Sequence, residues 1–209
     1  MKNLLIIGTG GFAREVYWHA QNSIGYGEEF LIKGFLEGNV PLAEHYELPL
    51  PVLGKVENYV IEENDVFVVA IAGANVKKII VEMLLNKGAE FINLIHKTAM
   101  VSSSAELGKG IIICPFVMIS CNTIVGNHVM FNAYSSLGHD AQIGDFSSTM
   151  GHVDITGNVK AGIGTYWGSG SRALPSSKIG DYAKVGASSV VLRKVKAGET
   201  VFGIPAMPI

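Results

Sequence analysis

A histidine and an aspartate stand side by side in the stretch Leu137-Gly138-His139-Asp140. A neutral imidazole can take a proton from an attacking group near pH 7. A neighbouring carboxylate can orient the ring and stabilise the imidazolium. Adjacent residues of a straight strand point to opposite faces, so this pair interacts only where the chain turns. A second signature lies near the start. Gly8-Thr9-Gly10-Gly11 follows the apolar run Leu4-Leu5-Ile6-Ile7 and precedes Phe12-Ala13-Arg14-Glu15, which reads as the start of a helix. Glycines placed there let the backbone approach a pyrophosphate, whose charge the helix N-terminus stabilises. Ala13 fills the sixth position of that fingerprint, where Gly or Ala serves. Glu37, at the end of a second apolar run, is placed to accept hydrogen bonds from a ribose. Both signatures have plainer readings: a solvated histidine on a wall, and a tight turn closing a strand–helix unit.

The elements that must position His139 follow from a count in sixes. From Val101 to Val191 that register meets an apolar residue at fifteen of sixteen positions, Thr149 being the exception. Four residues after each sits mostly a small or β-branched residue, such as Thr123, Ser135, Ser147, Thr165 or Ser189. A period of six fits neither a helix nor an alternating strand. It predicts a parallel β-helix of hexapeptide rungs, three to an 18-residue coil, with roughly five coils in about 96 residues. One coil from His139 lie Cys121 and Gly157, and the glycine leaves room beside the imidazole. By the same arithmetic His152 stacks near Tyr134 and Gly170, and Trp167 packs beside Thr149 as large against small. His128 reads as solvated and His96 as a hinge residue, while His19 and His45 carry no signal. Asn132, seven residues before His139, suits either substrate positioning or a turn.

Residues 1–92 follow another grammar. Strands are expected at Leu4–Ile7, Phe30–Leu36, Asp65–Ala72 and Phe91–Ile95, with a helix over Val76–Lys87 stopped by Gly88. The stretch from Gly38 to Leu53, with Pro41, Pro49 and Pro51, reads as a loop. Strand–helix alternation implies a small Rossmann-like parallel sheet. The fold class is therefore α/β plus all-β, divided at 1–92 and 93–209. Only one mononucleotide-binding half is visible, which suits a nucleotide sugar better than a dinucleotide.

Composition narrows the function. The 209 residues are 48% hydrophobic and 16% charged, enough apolar content for a core and too little charge for a disordered chain. A net charge of −2 gives no footprint for nucleic acid or an anionic membrane. Cys114 and Cys121 make no disulfide framework, and no zinc-ligand spacing occurs. The N-terminal apolar run is too short to span a membrane or to read as a signal peptide. A soluble cytoplasmic protein without a metal is the expectation.

The chain resembles the bacterial sugar O- and N-acetyltransferases of the NeuD/PglD type, in the left-handed β-helix acyltransferase superfamily. The resemblance runs through the Gly8-Thr9-Gly10-Gly11-Phe12 opening, Gly34-Phe35-Leu36-Glu37, Asn93-Leu94-Ile95-His96-Lys97, the hexapeptide array, Gly138-His139-Asp140, Gly157-Asn158-Val159 and Gly203-Ile204-Pro205-Ala206. It implies a left-handed coil and a homotrimer with active sites between subunits. It implies acetyl-CoA along the β-helix and a nucleotide-linked amino sugar on the N-terminal domain. His139 would be the general base, Asp140 its partner and Asn132 an active-site asparagine. Gly157, Ser148, Gly186 and Ala187 would line the acetyl-CoA path, and Gly8, Gly10, Gly11 and Glu37 would meet the nucleotide sugar. Four positions depart from the pattern. Asp140 replaces a glutamate, Glu37-Gly38 an acidic pair, Ser148 a histidine found in some relatives, and Met207 a basic residue. Contacts to the CoA phosphates would then fall to others, such as Arg193 or Lys194. The implied reaction is acetyl transfer to a UDP- or dTDP-linked 4-amino-4,6-dideoxyhexose for surface-glycan biosynthesis. The alternatives are O-acetylation of a sialic acid and a non-catalytic nucleotide-sugar-binding trimer.

Overall fold

The computed structural model describes residues 1–38 and 47–209; Pro41 and His45 lie outside these. The N-terminal part runs β1 (Lys2–Ile7), α1 (Gly11–Ala20), β2 (Phe30–Glu37), β3 (Val52–Lys55), β4 (Asp65–Val69), α2 (Ala74–Asn86) and β5 (Glu90–Phe91). These strands form one parallel sheet in the order β3-β2-β1-β4-β5. Alternation along β1 explains its two cores. Leu4 and Ile6 join a core shared with α1 and the repeats, while Leu5 and Ile7 pack with Ile80, Val81 and Leu84 of α2. α2 ends before Gly88, whose φ of +84° suits a residue without a β-carbon. Of the stretch expected as a loop from Gly38 to Leu53, residues 39–46 lie outside the described residues, and its last two residues are in a strand. Val52–Lys55 forms an edge strand, directly after Pro51, whose carbonyl accepts from Phe35 N at 3.0 Å.

Between Leu94 and Phe202 the chain winds as a parallel β-helix of two-residue strands, closed by a three-residue strand at Thr200–Phe202. Three sheets form its walls. The first face carries Met118–Ile119, Ser136–Leu137 and Asp154–Ile155; the second Ile124–Val125, Gln142–Ile143 and Lys160–Ala161; the third Met130–Phe131, Ser148–Thr149 and Tyr166–Trp167. Partners are 18 residues apart throughout these pairs, as the sixfold register requires. The second residue of each strand points inward, and Ile119, Leu137, Ile143, Phe131, Thr149 and Trp167 are all buried. Trp167 pairs with Thr149 and donates Nε1–H to Thr165 Oγ1 at 3.0 Å. The small residues four positions on are buried too, Ser135, Ser147, Thr165, Ser171 and Ser189 among them. The array begins one rung before Val101, since Leu94–Ile95 already pairs with Ile112–Ile113.

From Gly110 to Ser188 each corner holds a residue in the left-handed region. From residue 116 to 158 these are Phe116, Asn122, His128, Tyr134, Asp140, Phe146, His152 and Asn158, with φ between 55° and 61°. Side chains at 18-residue spacing then lie over one another. Phe116, Tyr134 and His152 stack with centroids 4.9 and 5.0 Å apart. His128 is corrected by this geometry: it is 6% exposed, stacked on Phe146 at 5.5 Å and edge-on to Phe91 at 4.7 Å. The N-terminal part covers that corner. Burial pushes the His128 imidazole down to about 4, and the nearby Lys77 adds to the shift.

Candidate active site

The corner conformation brings His139 and Asp140 together. Asp140, with φ +59°, turns the chain so that its Oδ2 sits 2.8 Å from His139 Nδ1. The hydrogen bond from His139 holds the Asp140 carboxyl below the usual carboxylate range. A proton on Nδ1 satisfies Asp140 and leaves the lone pair on Nε2. Both side chains are exposed. Gly157 lies under the ring, and a β-carbon there would come within 2.5 Å of Nε2 and 2.6 Å of Cε1. Glycine at 157 thus keeps the basic edge of the imidazole uncovered. Cys121, on the other side, is exposed, and its carbonyl accepts from Asp140 N at 3.0 Å.

The remaining residues singled out in the repeats lie elsewhere. Asn132 occupies the turn before Ser136–Leu137, whereas His139 occupies the turn after it. The two are therefore on different edges of the prism. Asn132 Oδ1 accepts from Ala133 N at 2.7 Å. Gly186 and Ala187 share the Asn132 edge, 54 and 55 residues on from 132, and the Phe202 ring lies over Gly186. Ser148 is on the third face, 1% exposed beneath the N-terminal part. Its Oγ donates to the Ala72 carbonyl and accepts from Lys77 Nζ, both at 2.9 Å. Within one chain Ser148 faces the seam between the two parts, away from any open acetyl-CoA path. The sequence offered no signal for its partner, since Lys77 reads as an ordinary helix lysine.

The glycine turn sits at the end of β1, where the strand order reverses, with β2 on one side of β1 and β4 on the other, the place where open α/β sheets bind ligands. Gly8, φ +118°, donates to the Leu36 carbonyl at 2.9 Å, and a β-carbon there would meet the Ala70 carbonyl at 3.1 Å. Gly10 caps α1 without a side-chain bond, and no acidic residue lies in the first turn. The first N–H groups of α1 are thus left to a ligand or water. Gly10 is exposed and Gly11 half-buried, with open space about both, and Glu37 is half-buried at the end of β2 beside them. A cleft of about 680 Å³ opens nearby between the two parts. Ala72, Gly73 and Ala74 form one wall and Tyr166, Tyr182 and Lys184 the other. His139 does not line it.

A nucleotide-type glycine turn is thus joined in one chain to a hexapeptide coil bearing a His–Asp corner. The family described as the PglD N-terminal domain matches residues 3–84. GDP-perosamine N-acetyltransferase of Escherichia coli O157:H7 is 37% identical over 145 residues, 67% of this chain and 66% of that protein. A serine acetyltransferase of Synechococcus elongatus is 29% identical over 52% of this chain and 41% of its own length. The chain thus spans slightly under two thirds of the first of these relatives and less than half of the second. The acetyltransferase domain of PglB from Neisseria gonorrhoeae superposes over 100% of both chains, with a TM-score of 0.88 and 25% identity. PerB from Caulobacter crescentus, solved with CoA and GDP-perosamine, has the same fold, with a TM-score of 0.89 and 24% identity over 100% of this chain and 98% of that one. Residues 3–84 belong to the PglD N-terminal domain family, and the whole chain is similar to PglD/NeuD-type sugar acetyltransferases. Among the described residues no helix is long and apolar enough to cross a membrane.

Proposed function

We propose that the chain transfers the acetyl group of acetyl-CoA to the amine of a nucleotide-linked amino sugar. The observation that carries this is the His139–Asp140 corner, with Nδ1 committed to Asp140 and the Nε2 edge kept open by Gly157. The free amine attacks the thioester carbonyl carbon. The nitrogen–carbon bond forms and its proton passes to Nε2. The carbon–sulfur bond breaks, and the CoA thiolate leaves with that proton. Removing a proton in the transition state contributes on the order of 10²–10⁴-fold. Neither Cys114, buried, nor Cys121 is required as a nucleophile.

The nucleotide sugar is assigned to Gly8, Gly10, Gly11 and Glu37, and acetyl-CoA to a groove between adjacent copies, lined by Gly157 of one and by Gly186 and Ala187 of the next. Because His139 and Asn132 lie on different edges, we assign the complete site to adjacent copies in a homotrimer: His139 of one copy, Asn132 of the next. A 4-amino-4,6-dideoxyhexose in surface-glycan synthesis remains the substrate class. The relative's GDP-linked sugar adds GDP to UDP and dTDP as carrier nucleotides.

The test is thiol release from acetyl-CoA with GDP-, UDP- and dTDP-linked 4-amino sugars and with free and CMP-linked sialic acid, products being weighed by mass spectrometry. Turnover of an amino sugar, lost in His139→Ala, is the expected result. Turnover of sialic acid alone would reassign the chain to O-acetylation. Binding of acetyl-CoA and nucleotide sugar without any turnover would make it a non-catalytic trimer.

A further inference from the structure

A buried ammonium group lies away from His139. Lys77 on α2 is 1% exposed, and no carboxylate pairs with it among the described residues. Its Nζ donates instead to the His128 carbonyl at 3.1 Å, the Ser147 carbonyl at 3.4 Å and Ser148 Oγ at 2.9 Å. All three acceptors belong to the β-helix. Ser148 returns the connection, donating to the Ala72 carbonyl in the loop between β4 and α2. A closed polar path therefore runs from α2 to the coil and back to the loop. Burying an amine among neutral acceptors is costly, and an apolar side chain would fill the same space without that cost. What lysine adds is direction: three bonds that fit only one placement of the helix on the coil.

The loop held in this way has a second role in the geometry. It continues from the end of β4, beside Gly8, and Ala72, Gly73 and Ala74 form one wall of the 680 Å³ cleft. Gly164 below it is packed so closely that a β-carbon there would meet Ala74 Cβ at 3.1 Å. We propose that Lys77 and Ser148 are positioning residues for acetyl transfer, holding the acceptor-binding sheet at one height and angle over the coil so that the bound amine is presented to the transfer site. This inference rests on the acetyltransferase reading above, and neither residue touches substrate in it.

Lys77→Met keeps the length of the side chain and removes its donors; Ser148→Ala removes the return bond. In the full chain, with acetyl-CoA and GDP-perosamine or the amino sugar that replaces it, each variant should raise KM for the acceptor about tenfold or more, since it breaks the hydrogen-bond network centred on the Lys77 amine. KM for acetyl-CoA should stay within about twofold. Amide hydrogen exchange supplies a readout independent of turnover: residues 70–76 should exchange faster while the coils do not. Unchanged acceptor KM in both variants overturns the proposal. So does equal loss for both substrates with faster exchange throughout, which would make Lys77 a piece of core only. If the wild type acetylates no amino sugar, exchange decides alone: acceleration confined to 70–76 sustains the latch, and unchanged exchange removes it.

Discussion

The imidazole of His139 and the α-carbon of Gly157 are packed so closely that a β-carbon at residue 157 would stand 2.5 Å from Nε2. The ring must move to admit even one methyl group. Gly157→Ala should therefore lower kcat about tenfold or more by covering or displacing the base. The urea midpoint should hardly change, because the ring is free to swing into solvent. Wild-type kcat in this variant would dissociate Gly157 from the chemistry.

His139→Ala should lower kcat by about 10²–10⁴-fold with little change in the urea midpoint, since the side chain is exposed and holds no core. The same variant should let the Asp140 carboxyl rise back towards the ordinary range, because the His139 hydrogen bond is the first cause of its lowering. The sign follows from linkage: the pair contributes above the ordinary carboxylate range, and the contribution is lost as pH falls through the lowered folded value. An NMR titration of the Asp140 carboxyl with and without His139 measures it.

A site shared between copies makes complementation possible. His139→Ala and Asn132→Ala, each weak alone, should recover activity when co-expressed or refolded together. Random mixing leaves about a quarter of the sites with both residues intact. Recovery accompanied by a trimer in sedimentation supports the shared site; no recovery would confine both residues to one copy.

The seam between the two parts should respond to pH in a defined direction. Burial lowers Lys77 from 10.5 to about 7 and His128 from 6.5 to about 4. In both windows the unfolded chain holds more protons than the folded one, so stability rises with pH. The rise should run from about 4 to 6.5 through His128, with Asp145 opposing its shift, and from about 7 to 10.5 through Lys77. Lys77→Met should flatten the upper window, by an amount on the order of a few kcal/mol. Urea midpoints measured against pH for both chains test this, and parallel curves would contradict it.

Trp167→Ala should cost about 3–5 kcal/mol, because the indole is fully buried within the coil and its loss opens a cavity. Trp167→Phe should cost less and also free Thr165 Oγ1 of its indole donor. Denaturant unfolding followed by circular dichroism distinguishes the two.

Much of this was legible before any coordinates. The sixfold register named the inward residues, because each two-residue strand turns one side chain into the coil whatever its identity. The His139–Asp140 pair was legible as chemistry, but its contact depended on a corner conformation that Asp140 does not announce. The burial of Ser148 and of His128 is not legible in the sequence for one reason. A repeat shows which side chains point out of a coil, and it does not show which outward side chains another part of the chain will cover. Val52–Lys55 was hidden by the prolines before it, which exclude a central strand but permit an edge.

From Gly110 to Ser188 the left-handed corners recur every six residues, and from Met100 to Val191 partners across a wall are 18 residues apart. Changes in length are therefore quantised. Removing one rung would rotate all that follows by a third of a turn and carry Gly186 to another edge. Removing a whole coil would restore every edge and shorten the prism by one strand spacing, roughly 4.8 Å. Over that span the molecule works as a ruler graduated in coils, on which the distance from His139 to Val191 can be reset only by whole divisions.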